Sequence, residues 1–365
     1  MDDDRDHGTD DGRSPRPAGR TPAALLEAQR LAFSPVFFVV AMVLRRRGML
    51  RAIREGGRAG ASDRELSERS GVPLGGTKML LETALAFDLL EELEPRRYRL
   101  ARLGLLWERD EMTRVNADFV FDVCLAGLPA LEASVVEERP AGLPALAGAH
   151  GGATIYEVLT SLAEPARSSW FAFDHYYSDS AFESALCLLL ARPSRRWLDV
   201  GGNTGRFARL ACARDPEVRV TIADHAATLE HALGQSGEFA ARIDGFAVDL
   251  LDARATLPEG HDLVWMSQFL VCFGDADVLR ILRLARASLA PQGTLAVLET
   301  FWDGQPNPIA TTCVAGMSPY FPLMANGKSR VFRESDLTRL LVEAGFTIVA
   351  RHPHLGRGHT LLLAE

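Results

Sequence analysis

The sequence predicts a two-domain α/β protein, with a doubly wound parallel sheet in the C-terminal half and a mainly helical, winged-helix-like domain before it. Three observations support this fold class. Short apolar strands alternate with helices from residue 195 onward. Residues 61–105 have the order helix, turn, helix and hairpin. A glycine-rich segment at 199–205 joins the first strand of the C-terminal half to a helix. The length of 365 residues also suits two domains.

The C-terminal half, residues 191–365, carries the pattern of a parallel sheet. Parallel strands need long crossover connections, which are usually helices. The last strand is expected at an antiparallel edge of the sheet. Strands are predicted at 197–200, 218–223, 245–248, 262–266, 295–299, 347–350 and 360–363. Helices are predicted at 207–214, 226–233, 275–289 and 334–344.

The N-terminal domain is assigned to residues 23–110. Residues 23–60 are expected to be helical, with Pro35 interrupting the apolar face. The segment 36–44 is apolar all round, so it is expected to be buried on several sides, including against a second subunit. The apolar stretch 31–44 is shorter than the ~20 residues that a membrane span needs. We therefore expect a soluble, cytoplasmic protein without a membrane partner.

The winged-helix-like pattern starts with Ser62, which is predicted to cap a helix together with Glu65 three residues later. One hypothesis for this module is DNA binding through its second helix. The polar positions of that helix carry one base and one acid, Lys78 and Glu82, and the formal net charge of the chain is -8. Both features fit a phosphate backbone poorly. Dimerisation is the favoured hypothesis, so a homodimer without a nucleic-acid partner is expected.

The composition of the chain bears on its N-terminal tail and on metal binding. Residues 1–22 are acidic, then rich in Gly, Pro and Arg, and are predicted to be a disordered tail without the apolar core of a signal peptide. The 5 cysteines lie far apart, without the spacing of metal ligands, and no metal site is predicted.

The region 111–190 is interpreted as a helical linker that contributes to a substrate pocket. Its segment 168–183 is dense in aromatic residues. Such density is typical of a core, but His175, Ser178 and Asp179 interrupt it. A pocket wall is the alternative interpretation.

Three strand ends carry the residues that indicate a ligand site. The segment 199–205 (Asp-Val-Gly-Gly-Asn-Thr-Gly) follows a strand and opens a helix, where backbone N–H groups are free to meet a ligand. Alone, such a loop would equally suit a dinucleotide or a tight turn. Asp224 ends the next strand, where an acid can accept hydrogen bonds from a ribose diol. Asp249 ends the third strand, where it can meet an adenine.

These motifs, together with 248–251 (Val-Asp-Leu-Leu) and 298–300 (Leu-Glu-Thr), resemble those of class I methyltransferases. More narrowly, residues 23–365 are similar to small-molecule O-methyltransferases of natural-product pathways, which pair a Rossmann-like domain with a winged-helix dimerisation domain. The resemblance implies S-adenosyl-L-methionine as cofactor and a small-molecule methyl acceptor as partner. It implies that the cofactor is bound by Asp199, Gly201, Gly202, Gly205, Asp224, Asp249, Leu250, Ser267 and Gln268.

One departure from the family bears on catalysis. The family carries His-Asp-Trp after the fourth strand, with the His as general base, whereas this chain has Val271-Cys272-Phe273 there. Valine accepts no proton, so a base, if one is needed, lies elsewhere: His175, His359 and Glu299 are the candidates. Three functions follow as hypotheses: a methyltransferase, a non-methylating enzyme that keeps the cofactor, and a ligand-sensing DNA-binding regulator.

Overall fold

The computed structural model describes residues 22–146 and 154–365. The predicted tail lies outside these residues except for Pro22, which begins the first helix. Contacts divide the chain into two compact units, Met1–Arg114 and Val115–Glu365. The finer domain bounds at 110 and 190 stay predictions.

The first unit has the elements that the winged-helix pattern predicts. Ser62 Oγ accepts a hydrogen bond from the Glu65 N–H, and the Glu65 carboxylate accepts one from the Ser62 N–H, which confirms the capping box. In the described part of this unit, three antiparallel strands pair in the order β1-β3-β2. Its strands are β1 (Ala61–Ser62), β2 (Leu90–Glu94) and β3 (Arg97–Leu100). Its helices are α1 (Pro22–Arg46), α2 (Met49–Glu55), α3 (Asp63–Ser70), α4 (Leu74–Ala86) and α5 (Arg102–Arg109).

Helix α1 differs from its prediction in two ways. It continues through Pro35 instead of being interrupted there. Proline removes only one N–H donor, and the Ser34 hydroxyl hydrogen-bonds the Arg30 carbonyl at 2.7 Å in the same turn. All-round burial holds from Val40 onward, whereas Val36 remains 53% exposed.

Among the described residues, α1 is the only helix that is by itself long and apolar enough to cross a membrane. Only 17% of its apolar window is buried. The bent pair Glu111–Cys124 and Leu128–Glu137 meets the same test only if it is counted as one span.

A mixed sheet organises the second unit. Within its described residues seven strands pair in the order β6-β5-β4-β7-β8-β10-β9. The strand β10 is antiparallel, as predicted, but it lies between β8 and β9 and not at the edge. Its six residues are all buried, which an outer strand would not allow. The strands are β4 (Arg196–Val200), β5 (Arg219–Asp224), β6 (Ile243–Ala247), β7 (His261–Ser267), β8 (Leu289–Thr300), β9 (Ile348–Leu355) and β10 (His359–Ala364).

Helices pack on both faces of this sheet. Successive strand residues therefore belong to different cores: Trp197 packs in one and Leu198 in the other. Two π-helical turns, Val120–Cys124 and Phe321–Ala325, and a 3₁₀ turn, Leu270–Cys272, belong to the face that carries the cavity described below. The helices are α6 (Glu111–Phe119, which crosses the boundary between the units), α7 (Leu131–Glu137), α8 (Ile155–Val158), α9 (Ala166–Leu190), α10 (Arg206–Arg214), α11 (Ala226–Gly234), α12 (Asp275–Ser288), α13 (Pro308–Met317) and α14 (Glu334–Glu343).

Candidate active site

A cavity of about 590 Å³ opens at the carboxyl ends of the parallel strands in the second unit. Gly201 after β4, Asp224 at the end of β5 and Ser267 at the end of β7 line it. Doubly wound sheets bind ligands at this edge. The volume lies within the roughly 300–1,000 Å³ of small-molecule sites.

The glycine-rich segment is shaped by its protein neighbours. Gly201 has φ +73°, and a Cβ there would lie 2.1 Å from Phe269 Cδ2, so the Phe269 ring occupies the space that a side chain would need. A Cβ on Gly202 would lie 2.8 Å from Ile222 Cγ2. These two glycines are therefore required by close contacts within the protein, whether or not a ligand is bound. Gly205, with φ +69°, begins α10 and is not among the described residues that line the cavity.

Two acids stand side by side at the ends of β4 and β5. Asp199 is 3% exposed, and its Oδ2 has no hydrogen-bond partner within the part of the chain that the structure describes. Burial, and then the charge of Asp224, raises the pKa of Asp199 to about 7. Asp224 accepts hydrogen bonds from the N–H groups of Asn203 and His225, at 3.0 and 2.7 Å. These bonds oppose the effect of burial, which raises its pKa.

The other predicted cofactor residues, Asp249, Leu250, Ser267 and Gln268, also line the cavity. Ser267 Oγ and Gln268 Nε2 are buried and have no protein partner among the described residues. Gln268 has φ +48°, a backbone conformation that is costly for a side chain of its kind. Strained backbone beside unpaired polar atoms is typical of a ligand site. We call the group Asp199, Gly201, Asp224, Asp249 and Ser267 the strand-edge half of the cavity.

The three candidate bases occupy different surroundings. His175 lines the cavity, with Nδ1 3.5 Å from Asp179 Oδ2, and the hydrogen bond to Asp179 raises its pKa. His359 is fully buried, is not among the described cavity-lining residues, and has its pKa lowered to about 4 by burial. The structure does not bring His359 to the site, so its position argues against a role as base.

Glu299 also lies outside the described lining of the cavity and is 0% exposed. Its Oε1 accepts a hydrogen bond from the Val271 N–H at 3.2 Å. Burial raises its pKa to about 8, although backbone N–H groups of the 3₁₀ turn oppose the shift. Glu299 therefore anchors the turn that carries Val271 and does not meet a substrate. Val271 itself is 5% exposed and lines the cavity.

The rest of the cavity is aromatic, as the pocket-wall interpretation of 168–183 expected. Trp170 Nε1 donates a hydrogen bond to the Tyr320 hydroxyl at 2.8 Å. Phe173, Asp174 and Tyr156 complete the group Tyr156, Trp170, Phe173, Asp174 and Tyr320, which we call the aromatic half.

Sequence reasoning missed Asp174, Tyr156 and Tyr320. For Asp174 a signal was present, because residues 170, 173, 174 and 177 share one face of a helix by their spacing. For Tyr156 and Tyr320 the sequence offers no comparable signal, since they enter the site from distant segments.

The strand order is doubly wound with one antiparallel strand inserted and the ligand edge is rich in acids, which agrees with the expected class I methyltransferase fold. The family comparison agrees, because residues 175–347 match the model of the O-methyltransferase domain. This part of the chain is therefore similar to O-methyltransferase domains.

Several individual proteins are similar to the chain. Demethylspheroidene O-methyltransferase of Rhodobacter capsulatus is 28% identical over 169 residues, which are 46% of this chain and 40% of that protein. Aclacinomycin 10-hydroxylase RdmB of Streptomyces purpurascens is 27% identical over 208 residues, 57% of this chain and 55% of that protein. The chain thus matches about half the length of these curated relatives. The solved structure of the mitomycin 7-O-methyltransferase MmcR shares the fold, with a TM-score of 0.68, 18% identity, and coverage of 94% of this chain and 98% of that chain.

Proposed function

We propose that the protein is an S-adenosyl-L-methionine-dependent methyltransferase that methylates an oxygen of a small molecule in a natural-product pathway. The observation that carries the proposal is the buried, unpartnered carboxylate oxygen of Asp199 beside the glycine-rich segment. The cofactor's sulfonium and ammonium groups are cations, and an unpaired buried carboxylate is stabilised by a cation.

The charge of the whole cavity supports the same ligand class. Among the described lining residues six are acidic and one is an arginine, Arg206, which already pairs with Asp179 at 2.7 Å. The pyrophosphate of a dinucleotide would be repelled here, although a glycine-rich segment alone would allow it. The acidic residues are Glu157, Asp174, Asp179, Asp199, Asp224 and Asp249.

The strand-edge half, together with Leu250 and Gln268 beside it, offers a set of contacts to the cofactor. Asp224 would accept the ribose hydroxyls, Asp249 and Leu250 would flank the adenine, and Ser267 and Gln268 offer unpaired polar atoms. The bound cofactor supplies an electrophilic methyl group. Holding an acceptor oxygen against it through the aromatic half contributes to catalysis by proximity and orientation.

The test is titration of the protein with S-adenosylmethionine and, separately, with NADH, followed by incubation with methyl-labelled cofactor and a panel of phenols. We expect binding of the first ligand only, and transfer of label to an acceptor. Binding of NADH in preference to S-adenosylmethionine would overturn the proposal.

A second candidate, an enzyme that keeps the cofactor without methylating, rests on Val271 and on the relative named as a hydroxylase. The two candidates differ in the fate of the cofactor. A methyltransferase forms one S-adenosylhomocysteine for each product, whereas the alternative leaves the cofactor unconsumed while the acceptor changes.

We further propose that the protein is a homodimer. Helix α1 exposes a run of large apolar side chains, among them Leu31 at 76% and Phe33 at 53%, and α5 exposes Leu103 and Leu106. Exposed apolar area of this kind is typical of an interface. Light scattering should give twice the chain mass, and Leu31→Glu should shift it to one chain, while Val342→Glu on α14 should not. A monomeric wild type at micromolar concentration would contradict the dimer.

The winged-helix-like unit is proposed to serve this assembly and not nucleic acid. Thr77 of α4 is fully buried and bonds the Val72 carbonyl, and the hairpin exposes Glu91, Glu92 and Glu94. These three acids are matched by Arg96, Arg97 and Arg99 of the same hairpin, which pair with carboxylates, so the wing lacks the net positive charge that favours phosphate binding. A salt-dependent shift of duplex DNA by the protein would contradict this. The same proposal places the protein in the cytoplasm, in line with a small-molecule substrate.

A further inference from the structure

The aromatic half of the cavity contains one carboxylate, Asp174, that the cofactor residues do not use. It lies on α9 one turn after Trp170, and it faces the cavity. Its Oδ2 lies 3.4 Å from Asn203 Nδ2 of the glycine-rich segment. No other side chain of the described residues hydrogen-bonds this carboxylate.

Groups from four further elements surround Asp174. Tyr156 from α8, Cys272 from the 3₁₀ turn and Tyr320 after α13 line the cavity together with Asp174, and its charge raises the pKa of all three. The neighbours on its own helix are His175, whose charge opposes the shift in the pKa of Asp174, and Asp179, whose charge adds to it. Across the glycine-rich segment, Asn203 connects it to Asp224. Asp174 therefore sits at the junction of the strand-edge half and the aromatic half.

We propose that Asp174 is the general base of this enzyme and accepts the proton of an aromatic hydroxyl held against the aromatic half. The inference rests on the proposed methyltransferase function. Asp174 would supply the base in an enzyme whose Val271 replaces the histidine that similar enzymes carry. Asp174 was not among the bases predicted from the sequence.

The chemistry of the neighbours leaves Asp174 as the acceptor of the proton. Burial, above all, raises the pKa of Cys272 to about 12 and that of Tyr156 well above its usual value, so both stay protonated. His175 points its Nδ1 at Asp179. Burial raises the pKa of Asp174 to about 6, which leaves it about nine-tenths ionised near pH ~7 and more basic than an ordinary carboxylate.

The proposed step is balanced. The proton of the acceptor hydroxyl moves to a carboxylate oxygen of Asp174. The acceptor oxygen bonds to the methyl carbon as the carbon–sulfur bond breaks, and that electron pair remains on sulfur. The products are a methyl ether, S-adenosylhomocysteine and protonated Asp174, which returns its proton to water.

The binding test uses 2-naphthol as a phenol probe, with S-adenosylhomocysteine present, and calorimetry at several pH values. The wild type should bind more tightly as pH rises through about 6, because ionised Asp174 accepts a stronger hydrogen bond. Asp174→Asn should weaken binding about tenfold and abolish the pH dependence of binding. If His175 were the source of that pH dependence, it would persist in this variant. Equal affinity in Asp174→Asn, or no binding by the wild type, would overturn the placement of a hydroxyl at Asp174.

The kinetic test uses an acceptor from the phenol panel that the wild type methylates. Asp174→Asn should lower kcat by about 10²–10⁴-fold and remove the acidic limb of its pH profile. Asp174→Glu should restore part of the rate. The matched control, Glu183→Gln, changes an exposed carboxylate of the same helix that pairs with Arg214, and it should behave as the wild type.

Two results separate this inference from the function on which it rests. If the wild type binds S-adenosylmethionine and forms S-adenosylhomocysteine, but Asp174→Asn keeps its kcat, only the inference fails. If Asp174→Asn instead loses cofactor affinity with kcat unchanged, Asp174 is a cofactor ligand and the base assignment is wrong. A wild type that does not bind the cofactor overturns the proposed function itself.

Discussion

The strand-edge half and the aromatic half of the cavity differ in how the chain builds them. Asp199, Asp224 and Asp249 each lie within two residues of the end of a parallel strand, so sequence position alone brings them together. Tyr156, Asp174 and Tyr320 come from three segments that meet only through packing. The side chains at strand ends, which we propose bind the cofactor, can thus be identified from local sequence. Those of the proposed acceptor site are brought together only by tertiary structure. Substitutions in the two halves should therefore affect different steps.

The largest effect is expected from Gly201→Ala in the strand-edge half. A methyl group there would collide with the Phe269 ring, and φ +73° is unfavourable for alanine. We expect cofactor affinity to fall at least about 100-fold, measured by calorimetry, because the segment must shift by ångströms. Gly234→Ala, where a methyl would meet nothing within 4 Å, is the control. A folded Gly201→Ala protein with wild-type affinity would show that the segment does not hold the cofactor.

A smaller loss is expected from Asp224→Ala. The variant would lose the proposed contact with the ribose and the hydrogen bonds that the carboxylate accepts from the N–H groups of Asn203 and His225. Loss of a charged hydrogen bond costs about 1–3 kcal/mol, so the dissociation constant should rise roughly 5- to 150-fold. Asp244→Ala, an exposed acid on the neighbouring strand, should leave the affinity unchanged. An unaltered dissociation constant in Asp224→Ala would mean that the ribose is held elsewhere.

Glu299→Gln should change stability and not binding, because Glu299 anchors the turn behind the site. The unfolded carboxyl ionises above its usual pKa of 4.5, whereas the folded one stays protonated up to about 8. Unfolding therefore releases a proton in this window, and the wild type loses stability as pH rises from about 5 to about 8. Glutamine has no such proton, so the free energy of unfolding of Glu299→Gln should exceed that of the wild type by roughly 4 kcal/mol near pH ~8, and the two should converge at about pH 5.

Thermal unfolding across this pH range measures the effect. Glu343→Gln, an exposed acid of α14, should follow the wild type at every pH. If Glu299→Gln and the wild type show parallel pH profiles, the buried carboxyl does not titrate as described.

The smallest effect on kcat is expected from Val271→His, in the 3₁₀ turn that lines the cavity. If the base is Asp174, a histidine in the 3₁₀ turn adds nothing, and a larger polar ring enters a site where Val271 is 5% exposed. We expect no gain in kcat with the phenol acceptor, and at most a modest loss of stability. A rise in kcat of about tenfold or more would show that the enzyme lacks a base and that Asp174 does not supply one.

Much of the fold could be predicted from the sequence because strand and helix patterns are local. The β4 strand and the α12 helix fall within one residue of their predicted bounds. The place of β10 could not be predicted, because the order of strands depends on which partners leave the least apolar surface exposed. The predicted interruption at Pro35 was wrong, because a helix stabilised by packing elsewhere along its length tolerates the loss of one hydrogen bond.

The same division applies to the site. All the predicted cofactor residues except Gly205, which immediately precedes α10, line the cavity near the strand ends, and their binding of a cofactor stays a prediction. Among the candidate bases, only His175 reaches the cavity, because β10 and β8 bury His359 and Glu299 in the sheet. The sequence analysis named His175 and not its neighbour Asp174, although both line the cavity, and His175 as base stays a prediction.

Binding of a cation against the paired acids near the ends of β4 and β5 can be detected through the proton that it displaces. S-adenosylmethionine is titrated by calorimetry near pH ~7 in two buffers of different ionisation enthalpy. Asp199, with a pKa of about 7, is partly protonated in the free protein, and a bound cation lowers that pKa. The account predicts saturable binding with release of a proton, and no such release in Asp199→Asn. Uptake of protons, or the same release in Asp199→Asn, would contradict it.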